Sequence, residues 1–270
     1  MSSEAKTGRM PAYYLPHGGG PCFFMNWPGD PDAWNNLAAF LRGVLPALPA
    51  LPRAIVVISA HWEQPAASVT ANPKPELIYD YSGFPPETYA LQYPAPGDPA
   101  LAVRVRSLLE SAGIPAREDR TRGFDHGIFV PFLLVAPEAR IPIVALSLVA
   151  GLDAATHIAI GQALAPLRDE GILIAGSGMS YHNMAGFLGY ERPQGDRFDA
   201  WLGETVAADD ATRRERLIAW QHAPQARLAH PREEHLLPLM VVAGAAGTDA
   251  GTTVFQDRIM QTPVSAYRFG

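Results

Sequence analysis

Ala54-Ile-Val-Val-Ile-Ser-Ala-His61 is the stretch on which the fold turns. Its apolar run shows no polar alternation, which fits a strand covered on both faces rather than one with a wet face. Ile141-Pro-Ile-Val-Ala-Leu-Ser-Leu-Val149 and Ile172-Leu-Ile-Ala175 read the same way, and Tyr13-Tyr14-Leu15 is a shorter candidate. Helical stretches lie between them. Asp32 can cap a helix from Ala33 to Val44, where Trp34, Leu37, Ala38, Leu41 and Leu45 recur at helical spacing. Asp98-Pro99 opens a second helix that runs to Ala112 and stops at Gly113. Asp153 opens a third that ends near Gly171, with Pro166 kinking or shortening it. Two more cover about Asp196–Ala208 and Ala211–His222, and the last begins near Pro231 and runs through Val242. This order predicts an α/β fold: a single domain over residues 1–270, with a central mostly parallel (mixed) sheet flanked by helices on both faces. Residues 1–10 are expected to be flexible, and a loop-rich insert from Gln64 to Pro96 carries five tyrosines and phenylalanines that could cover a cleft.

Composition narrows the chemistry. The 270 residues include eight histidines and one cysteine, Cys22, so disulfide frameworks and Cys-rich zinc or iron–sulfur sites are excluded. A net charge of -6 argues against a nucleic-acid partner, which would call for a basic stripe. No apolar run reaches the ~18–20 residues of a membrane span, and the polar start lacks a signal peptide's apolar core. A cytoplasmic protein with neither nucleic-acid nor membrane partner is expected. Nothing in the chain marks an oligomer interface. Any metal must be held by imidazole and carboxylate.

In open α/β sheets, ligands bind beyond the carboxyl ends of the strands. His17 follows Tyr13–Leu15, His61 follows Ala54–Ala60, and His182 follows Ile172–Ala175 after a Gly-Ser-Gly-Met-Ser-Tyr loop. Taken alone, each would ordinarily be a hydrogen-bonded, partly buried side chain. Three at equivalent strand ends point to one site. His126 sits in a turn-like Asp125-His-Gly127, an Asx-type turn being the plainer reading, and His235 follows Arg232-Glu-Glu at the start of the last helix. Glu233 and Glu234 there suit the positive end of a helix dipole. His157, His222 and His230 are assigned to the surface. Neutral imidazoles converging on a point bind metal, and three protein ligands with open positions make a catalytic site, suited without thiolate to Fe(II) or Zn(II).

A serine hydrolase has to be weighed, because His17-Gly-Gly-Gly20 resembles the oxyanion-hole motif of some esterases. The required Gly-x-Ser-x-Gly elbow is absent: Ala175-Gly-Ser177-Gly-Met179 lacks both glycines. Gly18–Gly20 instead let the backbone pack close beside His17. Neither glycine-rich phosphate motif occurs.

Leu15-Pro-His-Gly-Gly-Gly20, Ser59-Ala-His-Trp-Glu63, Gly83-Phe-Pro-Pro-Glu87 with Gln92-Tyr-Pro-Ala-Pro-Gly97, and Gly123-Phe-Asp-His-Gly127 follow one another along the chain. Gly176-Ser-Gly-Met-Ser-Tyr-His-Asn183 and Glu233-Glu-His-Leu-Leu-Pro238 complete the series. In that order they resemble the class III extradiol ring-cleavage dioxygenases, in the DOPA 4,5-dioxygenase-like branch, over about residues 12–245. The resemblance implies a non-haem metal enzyme that opens a small catecholic substrate with O2, using Fe(II), with Zn(II) as the other candidate ion. It implies metal ligation by His17, His61 and His235. His182 matches both a fourth ligand and an acid/base, His126 matches an acid/base, and Glu234 is the fallback ligand if the last is not imidazole. Gly19 departs from the Ser or Ala that many relatives carry after His-Gly, which could alter the pocket wall.

An imidazole with an ordinary pKa near ~6.5 suits removal of a catechol proton at physiological pH, the role expected of His126 and His182. Asp125 could orient His126 if their side chains meet. Trp27, Trp62, Phe129 and Tyr181 are candidate substrate walls, and Glu63 and Asn183 candidate partners for the second ring nitrogens of the ligands. Two alternatives stay open at this point: a zinc-dependent hydrolase on the same scaffold, and a non-catalytic zinc-binding relative.

Overall fold

The computed structural model describes residues 8–187 and 195–270. The strands are β1 (Ala12–Pro16), β2 (Ala54–Gln64), β3 (Ala67–Thr70), β4 (Ala116–Asp119), β5 (Ile143–Val149), β6 (Ile172–Gly178), β7 (Gly251–Ile259) and β8 (Thr262–Phe269). They form one mixed sheet in the order β4-β3-β5-β2-β6-β1-β8-β7. The four apolar runs read as strands make its parallel centre, β5-β2-β6-β1, with Ile55 opposite Ile143 and Leu173, and Leu15 opposite Ser177.

Helices α1 (Asn35–Val44), α2 (Pro99–Ser111), α3 (His126–Val135), α4 (Ala154–Leu164) and α5 (Pro166–Asp169) come before β6. After it come α6 (Met184–Phe187), α7 (Asp196–Ala207), α8 (Asp210–Ile218), α9 (Ala226–Ala229) and α10 (Leu237–Ala246). Adjacent residues of β6 show that helices cover both faces. A Cβ on Gly176 would lie 2.6 Å from the Pro238 carbonyl of α10, whereas the Ser177 hydroxyl donates to the Gly127 carbonyl of α3. Successive positions on a strand point to opposite faces, so α10 and α3 pack on opposite sides. No helix among the described residues is long and apolar enough to cross a membrane.

The expected caps hold at α2 and α4, where Asp98 and Asp153 accept from the backbone N–H of Leu101 and Thr156 at 2.9 and 2.7 Å. Pro166 does break the third helix, dividing α4 from α5. At α1 the structure differs: Asp32 Oδ1 accepts from the Asn35 side chain and leaves the backbone to a turn, so the helix starts at Asn35. The last helix starts at Leu237, not near Pro231, which puts Pro238 in its first turn, where a missing N–H costs nothing. The stretch expected as one helix to His222 ends at Ile218 and resumes as a 3-10 turn, Trp220–His222. The turn-like stretch at His126 is the first residue of α3, nearly all of which is buried. Residues 1–7, most of the segment expected to be flexible, lie outside the described residues. Met10 is buried, and its carbonyl accepts from Arg168 Nε at 2.6 Å.

Candidate active site

The carboxyl ends of β1, β2 and β6 deliver the site. His17 directly follows β1, with its N–H on the Gly178 carbonyl at 3.0 Å. His61 lies in the last part of β2, beyond Ile58, where the register against β5 shifts. His235 lies in the turn before α10, fixed by its own carbonyl, which accepts from Tyr14 OH at 2.7 Å and Met179 N at 3.1 Å. The Nε2 atom of His61 lies 3.2 Å from that of His17 and 3.3 Å from that of His235. On the far side of the rings, His17 Nδ1 donates to the Gly18 carbonyl at 2.8 Å and His235 Nδ1 to Glu234 Oε1 at 2.9 Å. Those oxygens only accept, so each Nδ1 carries the proton and each Nε2 presents a lone pair. Lone pairs crowded on one point fit a shared cation.

Electrostatics agree. Burial pushes the imidazoles of His17 and His61 well below the ordinary histidine range, and the neighbouring histidines push in the same direction. Burial lowers His235 to about 4, although its hydrogen bond to Glu234 pulls upward. All three are therefore neutral at pH 7, the form a metal requires.

His126 stands beside this trio, its ring centroid 3.9 Å from that of His61. Its partner is Asp80, whose Oδ1 accepts from His126 Nδ1 at 2.8 Å and from its backbone N–H at 2.9 Å. Oδ2 of the same carboxylate lies 4.0 Å from His61 Nδ1. Burial would raise Asp80, but the hydrogen bonds from His126 outweigh it and hold the carboxyl below its usual range. Asp125 turns away from His126. It accepts from Ser59 Oγ at 2.7 Å and Arg122 at 2.9 Å, and Arg122 lies over the Trp62 ring at 4.6 Å. Burial raises the Asp125 carboxyl.

His182 stacks on His235 with centroids 3.4 Å apart, and its Nδ1 lies 3.5 Å from Glu234 Oε1. Burial alone would raise Glu234, but the hydrogen bonds from His182 and His235 prevail and keep it well below the carboxylate range. The Glu234 carboxylate thus sits at the Nδ1 side of His235, opposite the converging Nε2 atoms. Glu63 pairs with Arg232, while Asn183 spans the Leu228 carbonyl and the Ala185 N–H, so neither holds the ring of His17, His61 or His235. The second ring nitrogens of His17 and His235 are held by Gly18 and Glu234 instead.

A cavity of about 400 Å³ opens beside Gly18, Gly19 and His182. Trp27 lines it; Trp62, Phe129 and Tyr181 are buried elsewhere. Phe129 packs on Tyr79 and Tyr81, with centroids 5.6 and 6.3 Å away. His222 is exposed, as expected of a surface residue, but His157 and His230 are fully buried. His157 takes the Val149 N–H at Nε2 and donates from Nδ1 to Asp153 O, while His230 donates from Nε2 to Ser180 O at 2.9 Å. The largely apolar flanks of His157, Ala154-Ala-Thr156 and Ile158-Ala-Ile160, carry a signal of its burial, whereas the contact of His230 forms only between distant segments.

Residues 11–270 match the family model described as the catalytic LigB subunit of aromatic ring-opening dioxygenase. The chain is 37% identical over 284 residues to "Dioxygenase tasH" of Hapsidospora irregularis, covering 99% of this chain and 88% of that one. It is 44% identical over 204 residues to the "4,5-DOPA dioxygenase extradiol" of Beta vulgaris, covering 74% and 75%. The solved structure of an uncharacterized protein from Escherichia coli K12 superposes with a TM-score of 0.79 at 32% identity, covering 97% of this chain and 100% of that one. The chain belongs to this family of metal-dependent, extradiol ring-opening dioxygenases, which act on an aromatic substrate with O2. Its relatives give the hydrolase alternative no support.

Proposed function

We propose that this chain opens a catechol ring beside its two hydroxyl-bearing carbons, with Fe(II) held by His17, His61 and His235. The observation that carries this reading is the meeting of three Nε2 atoms, with His61 within 3.3 Å of both others. Zn(II) suits the same three nitrogens as a bound ion. Divalent iron held by His17, His61 and His235 would supply Lewis-acid binding of the catechol and redox access to O2. The remaining steps belong to side chains. Asp80 accepts the Nδ1 proton of His126, which leaves Nε2 free to take a phenolic proton. His182 lines the cavity and has Glu234 at its Nδ1, so it is the second proton-handling imidazole, returning a proton as the ring opens. His126 lies beside His61 and is the alternative ligand by proximity, since its ligand atom and those of His17 and His61 lie within 4.8 Å of one another. The hold of Asp80 on its Nδ1 leaves a lone pair on Nε2, and the ligand place is assigned to His235 because its Nε2 lies 3.3 Å from that of His61. A cytoplasmic location belongs to the same reading, since a reducing compartment keeps iron divalent.

Absorbance and oxygen measurements test the proposal together. Anaerobically Fe(II)-loaded protein should leave a catechol unchanged until O2 is admitted, then form a yellow ring-fission product with one O2 consumed per ring. A catechol left unchanged after O2 is admitted, with no O2 consumed, would overturn it.

A further inference from the structure

The cavity beside the histidines has a wall of one chemical kind. Met25, Met179, Met184 and Met260 face it together with Trp27 and Phe84. The Trp27 Nε1–H is already engaged by Met260 Sδ at 3.2 Å, and the Tyr81 ring stands over Phe84 at a centroid distance of 5.5 Å. Gly19 adds room, since a Cβ there would lie 3.4 Å from the rings of both Trp27 and Trp34. Among the described residues that line the cavity, His182 is the one titratable side chain, and none is Arg or Lys. A carboxylate placed against this wall meets no cation, a cost that hydrogen bonds must offset when charge leaves water. Thioether side chains are flexible and polarisable and adapt their shape to apolar groups.

We propose that the catechol this chain opens carries an uncharged, apolar ring substituent, of alkyl, alkenyl or aryl character, seated in this cavity, and that amino-acid or carboxylate substituents are disfavoured. The proposal rests on the ring-opening reading above. It gives the methionine wall a function: the wall selects the substituent while the histidines act on the ring.

The test is a homologous series. With Fe(II)-loaded protein and O2, kcat/KM should rise about fourfold per methylene from 4-methylcatechol to 4-butylcatechol, and DOPA and caffeate should fall about tenfold or more below 4-butylcatechol. A flat series, or DOPA the better substrate, overturns the proposal. Binding is measured separately, by tryptophan fluorescence of Zn(II)-loaded protein without O2, with the same catechols as probes. If no catechol is opened, the ring-opening reading fails and the binding series alone decides: affinity that climbs with chain length supports the cavity assignment, and affinity indifferent to it overturns the assignment. Met184 is 56% exposed, so Met184→Arg can add a cation without disturbing the core. This variant should raise the caffeate to 4-butylcatechol affinity ratio about tenfold, and an unchanged ratio would show that the substituent lies elsewhere.

Discussion

Asp80 reaches His126 from 46 positions away and takes both its Nδ1 and its backbone N–H. A partner of this kind fixes ring orientation and tautomer, and its loss typically costs 10–100-fold. Asp80→Asn should therefore lower kcat by about 10–100-fold with metal content unchanged, and should shift the pH–rate profile, which a purely structural role would leave alone. His61→Ala should remove the metal, whereas His126→Ala should keep it and lose rate; metal analysis beside steady-state kinetics separates the two. The clustering of the five histidines was legible because each follows a strand or opens a segment at the carboxyl end of the sheet. Asp80 was not, since its partnership exists only once the insert has folded back over α3. Asp125 lies next to His126 in sequence, but the first turn of α3 directs it to Ser59 and Arg122.

Glycine sets the contact between α4 and α10 at the scale of elements. A Cβ on Gly161 would lie 1.9 Å from Val241 O, and one on Gly244 2.1 Å from Ile158 O, so the two helices touch backbone to backbone. Gly161→Ala should cost about 1–3 kcal/mol in urea unfolding, because the helices must separate; an unchanged midpoint would refute this packing. The parallel centre of the sheet could be read from apolar runs alone, because burial on both faces leaves that mark in sequence. The β7–β8 hairpin could not. Its turn residues, Met260 and Gln261, take φ of 48° and 65°, a conformation usually signalled by Asn-Gly. Helix α3 is apolar on nearly every side and shows no period to read. Short β3 and β4 hold the edge beyond β5 with too few residues to show a pattern.

At the scale of the whole molecule, stability is expected to follow protonation and metal binding. Burial lowers His230 to about 3, below the ~6.5 of an unfolded chain. The neutral form is therefore the folded one, and its stabilisation, complete above about pH 6.5, is lost as pH falls toward 3. His230→Gln should flatten the acid side of the stability curve by up to about 1.4 kcal/mol per pH unit relative to the parent, read as urea midpoints between pH 6 and 4. Parallel slopes would contradict the burial assignment. A ligand held at 100 times its Kd adds about 2.7 kcal/mol, so chelation should lower Tm by several degrees, with recovery on adding Fe(II) and no response in His61→Ala. The central claim is that the imidazoles of His17, His61 and His235 form one metal centre at the end of the parallel sheet. Iron K-edge X-ray absorption of the Fe(II)-loaded protein tests it most directly. One iron per chain with at least three imidazole scatterers, and loss of that iron together with ring opening in His235→Ala as in His61→Ala, is the predicted result. Fewer than three imidazoles, or an iron shell unchanged by His235→Ala, would contradict it.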